Sequence, residues 1–238
     1  MAGAVVFTRP RHQLIWMLHS LEKTLAQLFS PPFRSVLLRS IGLTIGLFIV
    51  IGIGVQAALA SFAVMPWEWL AAVAAILAGL GTLVGAVFLL APVTSLFAGL
   101  FLDEIAGAVE ARHYPHDPAG TELPLAQSLF VAVKFTFVVI LVNLGVLIML
   151  ILPGINVIAF YLANGYLLGR EYFELVAMRH HPIDEARALR RKYRLRVFLS
   201  GLVIAGLVSI PLLNLLAPLF ATAFMTHQYK RFTAPEAA

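Results

Sequence analysis

The chain has 238 residues, of which 61% are hydrophobic and 12% are charged, with a net charge of +5 and a mean hydropathy of +0.91. Because soluble domains carry about twice this share of charged residues, the composition excludes an ordinary soluble protein and predicts an integral membrane protein. The sequence contains no cysteine, which excludes disulfides, thiolate catalysis and cysteine-based metal sites. We expect no cleaved signal peptide, since the N-terminal segment lacks a short apolar run that ends in small residues.

Residues 9–29 have the pattern of an amphipathic helix. Leucines recur along this segment at spacings of three and four, while charged residues between Arg11 and Lys23 lie on the opposite face. A helix with this pattern ahead of a membrane span typically lies in the membrane interface. The sequence Ser30-Pro31-Pro32 ends the helix, because proline lacks the N–H that a helix interior requires.

Two stretches without a charged residue follow, from Ile41 to Trp67 and from Trp69 to Leu102, and they predict full transmembrane helices over residues 36–65 and 71–91. Each has the length of about 20 residues that crosses a hydrocarbon core. Pro92 then starts or kinks an amphipathic continuation over residues 93–111. Both spans carry glycines four residues apart, which are common in membrane helices and are also typical of close helix packing: Gly42 and Gly46, Gly81 and Gly85.

A repeat organises the second half of the chain. The segment Leu152-Pro153-Gly154-Ile155-Asn156 returns 58 residues later as Ile210-Pro211-Leu212-Leu213-Asn214. In each copy the proline ends an incoming helix, and the asparagine occupies the position of an N-cap for the outgoing helix. We therefore predict two helical hairpins, over residues 135–169 and 197–226, with elbows at Asn156 and Asn214.

The length of the hairpin arms predicts how deeply they enter the membrane. Three of the four arms hold only 14 or 15 residues, and 14 residues of helix measure about 21 Å, less than the ~30 Å hydrocarbon core. We expect half-inserted hairpins whose elbows are buried in protein or face a water-filled pore, because irregular backbone at membrane depth requires one of these. Six ordinary spans, with tilted partners or a thinned membrane, are the alternative.

Arg34, Ser35 and Arg39 stand at the start of the first span and are the candidate anion-binding residues. The start of a helix favours an anion, and an arginine supplies a fork of donors suited to a tetrahedral oxyanion. The alternative is that these arginines only anchor the span at the membrane surface.

A second polar cluster, Arg170, Glu171 and Glu174, follows the apolar arm of the first hairpin. Arg170 and Glu174 are four residues apart on a helix and can pair, so we predict a polar anchor at the hairpin base, with a gate as the alternative. The segment from His180 to Arg196 reads as a polar cap and a basic helix that meets lipid headgroups. We expect no metal site there.

Several segments together resemble the CysZ family of bacterial inner-membrane sulfate permeases, which is related to the etoposide-induced membrane proteins. The resemblance covers most of the chain and rests on these segments: Ser30-Pro-Pro-Phe-Arg34, residues 91–100, Leu152-Pro-Gly-Ile-Asn156, Tyr172-Phe-Glu174 and residues 210–218. The family's sulfate-binding stretch reads roughly Pro-Gly-x-Arg-Arg. Here the glycine is missing, Ser35 replaces the second arginine, and Arg39 lies further along.

The resemblance implies an all-helical fold of two full spans, two half-inserted hairpins and interfacial helices, assembled as a homo-oligomer in the bacterial inner membrane. It implies uptake of sulfate or a related oxyanion for assimilation into cysteine, without a cofactor or a nucleic-acid partner. Since the spans hold no Asp or Glu to relay protons, we expect a passive or channel-like permease. No catalytic constellation is visible, so we do not expect an enzyme. The alternative is a membrane scaffold or a lipid-interacting protein without transport.

The distribution of basic residues predicts the orientation in the membrane. All 17 lysines and arginines fall in four segments, which the positive-inside rule assigns to the cytoplasm together with both termini: residues 1–39, 103–134, 170–196 and the C-terminal tail. Single cysteines at Ala119 and His181 should therefore react only with cytoplasmic label, and one at Glu68 only with label applied from outside. Labelling of His181→Cys from outside in every molecule would contradict this topology, and a mixed result would indicate dual insertion.

Overall fold

A computed structural model describes residues 10–62, 68–122, 124, 155–210, 213 and 215–234. These residues form eight helices joined by turns and one loop, which confirms the predicted all-α class. The helices are α1 (Pro10–Gln27), α2 (Pro31–Phe62), α3 (Glu68–Gly99), α4 (Leu102–His113), α5 (Ile155–Met178), α6 (Ile183–Lys192), α7 (Arg194–Val208) and α8 (Ala217–Thr233).

Helix α1 matches the predicted amphipathic helix in extent, and its two faces differ in an informative way. The side chains of Ser20, Thr24 and Gln27 are buried against the protein, whereas Leu18 and Leu25 are exposed. The exposed face also carries Glu22, so it mixes leucines with a charged side chain, as a helix that lies at a membrane interface does. The placement of α1 in the interface itself stays a prediction.

Helices α2 and α3 form an apolar hairpin. Among the described residues, α2 is the one helix long and apolar enough to cross a membrane, over the 28 residues Pro31–Ala58, and only 17% of its best window is buried. Large side chains such as Ile49, Ile53, Ile76 and Leu83 are exposed along both helices. A contiguous apolar surface of this kind requires a nonaqueous neighbour, so α2 and α3 indicate a membrane protein. The second predicted span, 71–91, lies within α3.

A buried hydrogen bond between two threonines joins α2 to α3. The hydroxyls of Thr44 and Thr94 lie 3.0 Å apart and are buried between the two helices. A Cβ atom added at Gly42, Gly46, Gly81 or Gly85 would meet no described atom within 4 Å. Among the described residues these glycine pairs therefore have no helix packed against them, and close packing at their spacing stays a prediction.

The helix break after the second span comes later than predicted. Helix α3 continues through Pro92 to Gly99, and a tight turn over Leu100 and Phe101 separates it from α4. In this turn the N–H of Leu100 bonds to the carbonyl of Phe97 at 3.1 Å, as in the tightened last turn of many helices. The amphipathic continuation predicted over 93–111 thus corresponds to the end of α3 and to α4.

Helix α5 is longer than the arm predicted for the first hairpin. That arm ends at Leu168 in the apolar pattern, but α5 runs for 24 residues to Met178, about 36 Å. It packs closely against α7, where Gly165, Gly169 and Gly201 bring the two backbones together. Gly165 and Gly169 are themselves four residues apart, so the small-residue spacing that packs these helices lies outside the two predicted spans.

Helix α8 is the centre of the fold. Every residue from Ala217 to Lys230 is buried, and the helix contacts α1, α3, α4, α5 and α7. It begins within the second predicted hairpin, after a turn at Leu215 and Leu216, and extends to Thr233. Pro218 occupies the first helical turn, where its missing N–H is harmless. A helix buried on all sides is typical of a protein core.

The elbows of the two predicted hairpins fall largely outside the described residues. Asn214 and the incoming arm over 135–152 are not described, and Asn156 is described only as part of the first turn of α5. The half-inserted depth of the hairpins and the role of both asparagines therefore stay predictions.

The contact between α5 and α7 makes a stability prediction. A Cβ atom at Gly201 would overlap the carbonyl oxygen of Gly165, and the atom it meets is rigid backbone. Gly201→Ala should therefore lower the free energy of unfolding by about 1–3 kcal/mol, the usual cost of overpacking. Thermal unfolding of the detergent-solubilised protein measures this change.

Gly206→Ala is the matched control, since Gly206 lies on the same helix and a Cβ there meets no described atom. This substitution should stabilise the protein by about 0.5–1 kcal/mol, because alanine loses less backbone entropy than glycine in a helix. If both variants unfold at the wild-type temperature, the two helices do not pack as closely as described.

Candidate functional site

Arg34 stands in the first turn of α2 and is exposed. Phe33 and Val36 on the same turn are fully buried and fix the helix against the core. In the described part of the chain, the guanidinium of Arg34 has no hydrogen-bond or ion-pair partner. Ser35, beside it, is half-buried. Among the described residues, Arg34 is thus a positive charge without an ion-pair partner at the first turn of α2.

The backbone at this helix start offers fewer donors than a typical helix N-terminus. Pro31 and Pro32 have no N–H, and the N–H of Arg34 already bonds to the carbonyl of Ser30 at 3.0 Å. Among the first three helical positions only Phe33 carries a backbone donor. This helix start therefore offers few free N–H groups to an anion, and anion binding by Arg34, Ser35 and Arg39 stays a prediction.

Arg39 does not join Arg34. It follows by five residues, which is about 140° around the helix, and its Nη1 lies 2.9 Å from Oε2 of Glu104 on α4. The two side chains are 51% and 41% exposed, and exposed ion pairs of this kind contribute little to stability. The structure therefore keeps Arg34 and Ser35 together and turns Arg39 toward a carboxylate.

The predicted polar anchor on α5 is larger than the sequence indicates. Nε of Arg170 lies 3.5 Å from Oε1 of Glu174, and Nε of Arg190 on α6 lies 2.6 Å from the same oxygen. Neither contact has the geometry of a hydrogen bond, and among the described residues Glu174 Oε1 and Arg190 Nε are buried without a hydrogen-bond partner. Glu171 is half-buried next to Arg170. The role of Arg170, Glu171 and Glu174 as anchor or gate stays a prediction.

A buried charge network, formed by Asp103, Glu110, Gly120, Arg179 and His180, joins α4 to the end of α5. Arg179 is 4% exposed. Its Nη1 donates to Asp103 Oδ1 at 2.6 Å and its Nη2 donates to Glu110 Oε2 at 3.3 Å. The other oxygen of Glu110 lies 2.8 Å from Nε2 of His180, and the backbone N–H of Gly120 donates to Glu110 at 3.1 Å. The network ties the loop after α4 to both helices.

Sequence reasoning missed this network, because an amphipathic helix over 93–111 is expected to expose its carboxylates to water and His180 falls in the predicted polar cap. One signal was available. Asp103 and Glu110 are seven residues apart, which places both carboxylates on one face of α4, beside the buried stripe that includes Ile105 and Val109. Nothing in the local sequence indicates that Arg179, 69 residues beyond Glu110, is their partner.

The surroundings of Glu110 strongly favour its charged form. Burial by itself would raise the pKa of this carboxyl, but the hydrogen bonds from His180 and from the N–H of Gly120, with the positive charge of Arg179, outweigh burial and lower the pKa to about 2. Glu110 therefore stays ionised at any physiological pH. Its role is to hold Arg179, not to exchange protons.

A second set of polar contacts surrounds the C-terminal half of α8. The hydroxyl of Tyr114 and Nδ1 of His227 are 2.9 Å apart, and Nε2 of His113 lies 3.1 Å from Oε1 of Gln27. The ammonium of Lys230 donates to the carbonyl of Pro118 at 3.2 Å. The Gln27 contact attaches α1 to the end of α4, and the other two attach Tyr114 and the loop after α4 to the central helix.

The fold and the candidate site define a helical membrane protein with an apolar hairpin, a charged core region outside it and an exposed arginine where the span begins. A family model described as sulfate transporter CysZ/etoposide-induced protein 2.4 matches residues 20–218. The match covers most of the chain, so the chain belongs to this family, and the resemblance seen in the sequence is confirmed. No curated protein matches the chain.

The pKa of Glu110 predicts a pH dependence of stability. Because the pKa in the folded state is about 2, below the ordinary value of 4.5, the contribution of Glu110 to stability is present above about pH 4.5 and is lost as the pH falls toward 2. Glu110→Gln removes this part of the acid dependence. It should also cost about 3 kcal/mol at neutral pH, because Arg179 then keeps a buried charge with one carboxylate fewer.

Glu104→Gln is the control on the same helix. Its ion pair with Arg39 is exposed, so we expect a change within about 0.5 kcal/mol and an unaltered acid limb. Denaturant or thermal unfolding between pH 2 and pH 7 provides both values. Equal effects of the two substitutions would show that the buried network contributes no more than a surface pair.

Proposed function

We propose that this protein is a passive, channel-like permease for sulfate or a related oxyanion in the plasma membrane of a bacterium, supplying sulfate for assimilation into cysteine. The observation that carries this proposal is the match to the sulfate transporter CysZ family over residues 20–218. The matched range includes the start of α2 with Arg34, the first predicted hairpin and all of α7, and it ends at Pro218 in the first turn of α8.

The geometry at the start of α2 supports Arg34 as the first ligand of the oxyanion. Its guanidinium is exposed and has no partner in the described part of the chain, so binding an anion displaces no internal ion pair. Arg39 would have to leave Glu104 first. Ser35 is adjacent and can add a hydroxyl donor. We therefore assign the primary contact to Arg34 and a secondary one to Ser35.

The charge content of the spans supports passive movement. From Ile41 to Trp67, and again from Trp69 to Leu102, the sequence holds no Asp, Glu, Lys or Arg. A proton-coupled transporter generally needs an ionisable residue within the membrane. Sulfate would then move down its own concentration gradient, which the cell maintains by assimilating sulfate.

The exposed face of the apolar hairpin supports a homo-oligomer. Its glycines at Gly42 and Gly46 leave an open groove within the described chain, and small residues at this spacing allow the helix of another copy to approach closely. A pore formed among copies would also account for the absence of a continuous polar path through α2 alone.

Calorimetric titration of sulfate onto the purified protein tests the Arg34 assignment. Arg34→Ala should weaken binding about ten- to a hundredfold, since a charge-assisted hydrogen bond contributes about 1.5–3 kcal/mol. Arg34→Lys should recover only part, because an ammonium lacks the planar fork of donors. Arg39→Ala should leave the affinity within about threefold of wild type, as its partner is Glu104.

Radiolabelled sulfate uptake into liposomes that contain the purified protein tests the transport itself. We expect uptake that follows the sulfate gradient and that persists when the proton gradient is collapsed. Equal affinity in wild type and all three variants would remove Arg34 from the site. Absence of both binding and uptake would favour the alternative of a membrane scaffold without transport.

A further inference from the structure

An open cavity of about 300 Å³ lies where α5, α6 and α7 meet. Three arginines line it: Arg170 from α5, Arg190 from α6 and Arg194 from α7. Cavities of this size are at the lower end of those that hold small ligands. No residue of the proposed sulfate site lines the cavity, so it is a separate feature of the molecule.

The positive charge in the cavity is only partly compensated. Glu174 approaches both Arg170 and Arg190 through a single oxygen, Oε1. Three arginines against one carboxylate leave a net charge of two positive charges at the cavity. Glu171 does not line the cavity. Even if its full negative charge is added to that of Glu174, one positive charge is left over.

The donors of these arginines are free to bind a ligand. Arg170 and Arg190 meet Glu174 through their Nε atoms, which leaves the terminal Nη groups available. Within the described residues, the side chain of Arg194 has no ion-pair or hydrogen-bond partner, and it is exposed. Several guanidinium forks around one cavity match the oxygens of a phosphate group.

The remaining lining is apolar and points to an amphipathic ligand. Leu195 is 59% exposed and Tyr166 is 46% exposed, although both line the cavity together with Phe198. Tyr166 lies one turn before Arg170, where the apolar part of α5 gives way to charged residues. This is the depth at which the headgroup of a phospholipid meets its acyl chains, and basic pockets between helices at that depth bind anionic headgroups.

We propose that this cavity binds the phosphate oxyanion of an anionic phospholipid, with Arg170, Arg190 and Arg194 holding the phosphate and Tyr166, Leu195 and Phe198 contacting the start of the acyl chains. The site is independent of sulfate transport and does not rest on that proposed function. Free inorganic phosphate shares the same oxyanion chemistry but lacks the acyl chains, and this difference separates the two sources in an experiment.

Native mass spectrometry of the full chain, stripped of lipid in a nonionic detergent, tests the proposal. Three probes are titrated: dioctanoyl phosphatidylglycerol, dioctanoyl phosphatidylcholine and inorganic phosphate. We expect one phosphatidylglycerol to bind per chain, at least about tenfold more tightly than phosphatidylcholine, whose phosphate is neutralised by choline, and than inorganic phosphate. Equal retention of both lipids would overturn the anion site, and equal binding of inorganic phosphate would overturn its assignment to a lipid.

Substitutions of Arg190 on α6 and of Arg194 on α7 locate the site. Arg194→Gln should weaken phosphatidylglycerol binding about tenfold, and because Arg194 is exposed the variant should fold normally. Arg190→Gln should weaken binding similarly, with folding checked by thermal unfolding since Arg190 also approaches Glu174. Arg191→Gln is the matched control, as Arg191 is exposed on α6 but does not line the cavity. Equal weakening by Arg191→Gln would show diffuse surface charge and overturn the site.

Discussion

The burial of Arg179 is the interaction on which the arrangement outside the apolar hairpin depends. A guanidinium removed from water is costly unless its charge and its donors are matched. Here Asp103 and Glu110 supply two carboxylates from one face of α4, and the carbonyl of Arg179 accepts from the N–H of Thr121 at 2.8 Å. One residue at the end of α5 thereby fixes α4 and the loop that follows it.

The central helix depends on the same arrangement. The ring of His180 stacks on Tyr229 of α8 with centroids 5.1 Å apart, so the residue that bonds Glu110 also contacts the buried helix. Around α8 the chain combines apolar packing, from side chains such as Phe220 and Phe224, with buried polar groups such as His227. The apolar hairpin of α2 and α3 has the opposite character: it faces outward with large aliphatic side chains and meets its environment through dispersion and the hydrophobic effect.

Features that depend on local sequence were predictable, and features that depend on distant partners were not. The composition predicts a membrane protein, the family resemblance implies an all-helical fold, and Ser30-Pro31-Pro32 predicts the start of α2 at Pro31. The end of α5 could not be located, because the apolar pattern ends at Leu168 while the charges beyond it are stabilised by Arg190 from another helix. The partner of Glu110 was equally invisible, since Arg179 lies 69 residues away.

The placement of carboxylates explains which of the described arginines stay available to an external anion. Acidic residues of α4 and of the loop after it already pair with cations. Glu104 pairs with Arg39. Asp103 and Glu110 pair with Arg179, and Asp117 pairs with Lys230. In the described part of the chain, these carboxylates contact neither Arg34 nor the arginines of the cavity. There, one carboxylate, Glu174, is shared by Arg170 and Arg190. Since a protein with net charge +5 cannot pair every cation internally, the cations left over are those that an external anion can reach. The same excess of positive charge therefore underlies both the predicted orientation in the membrane and the two oxyanion sites proposed above.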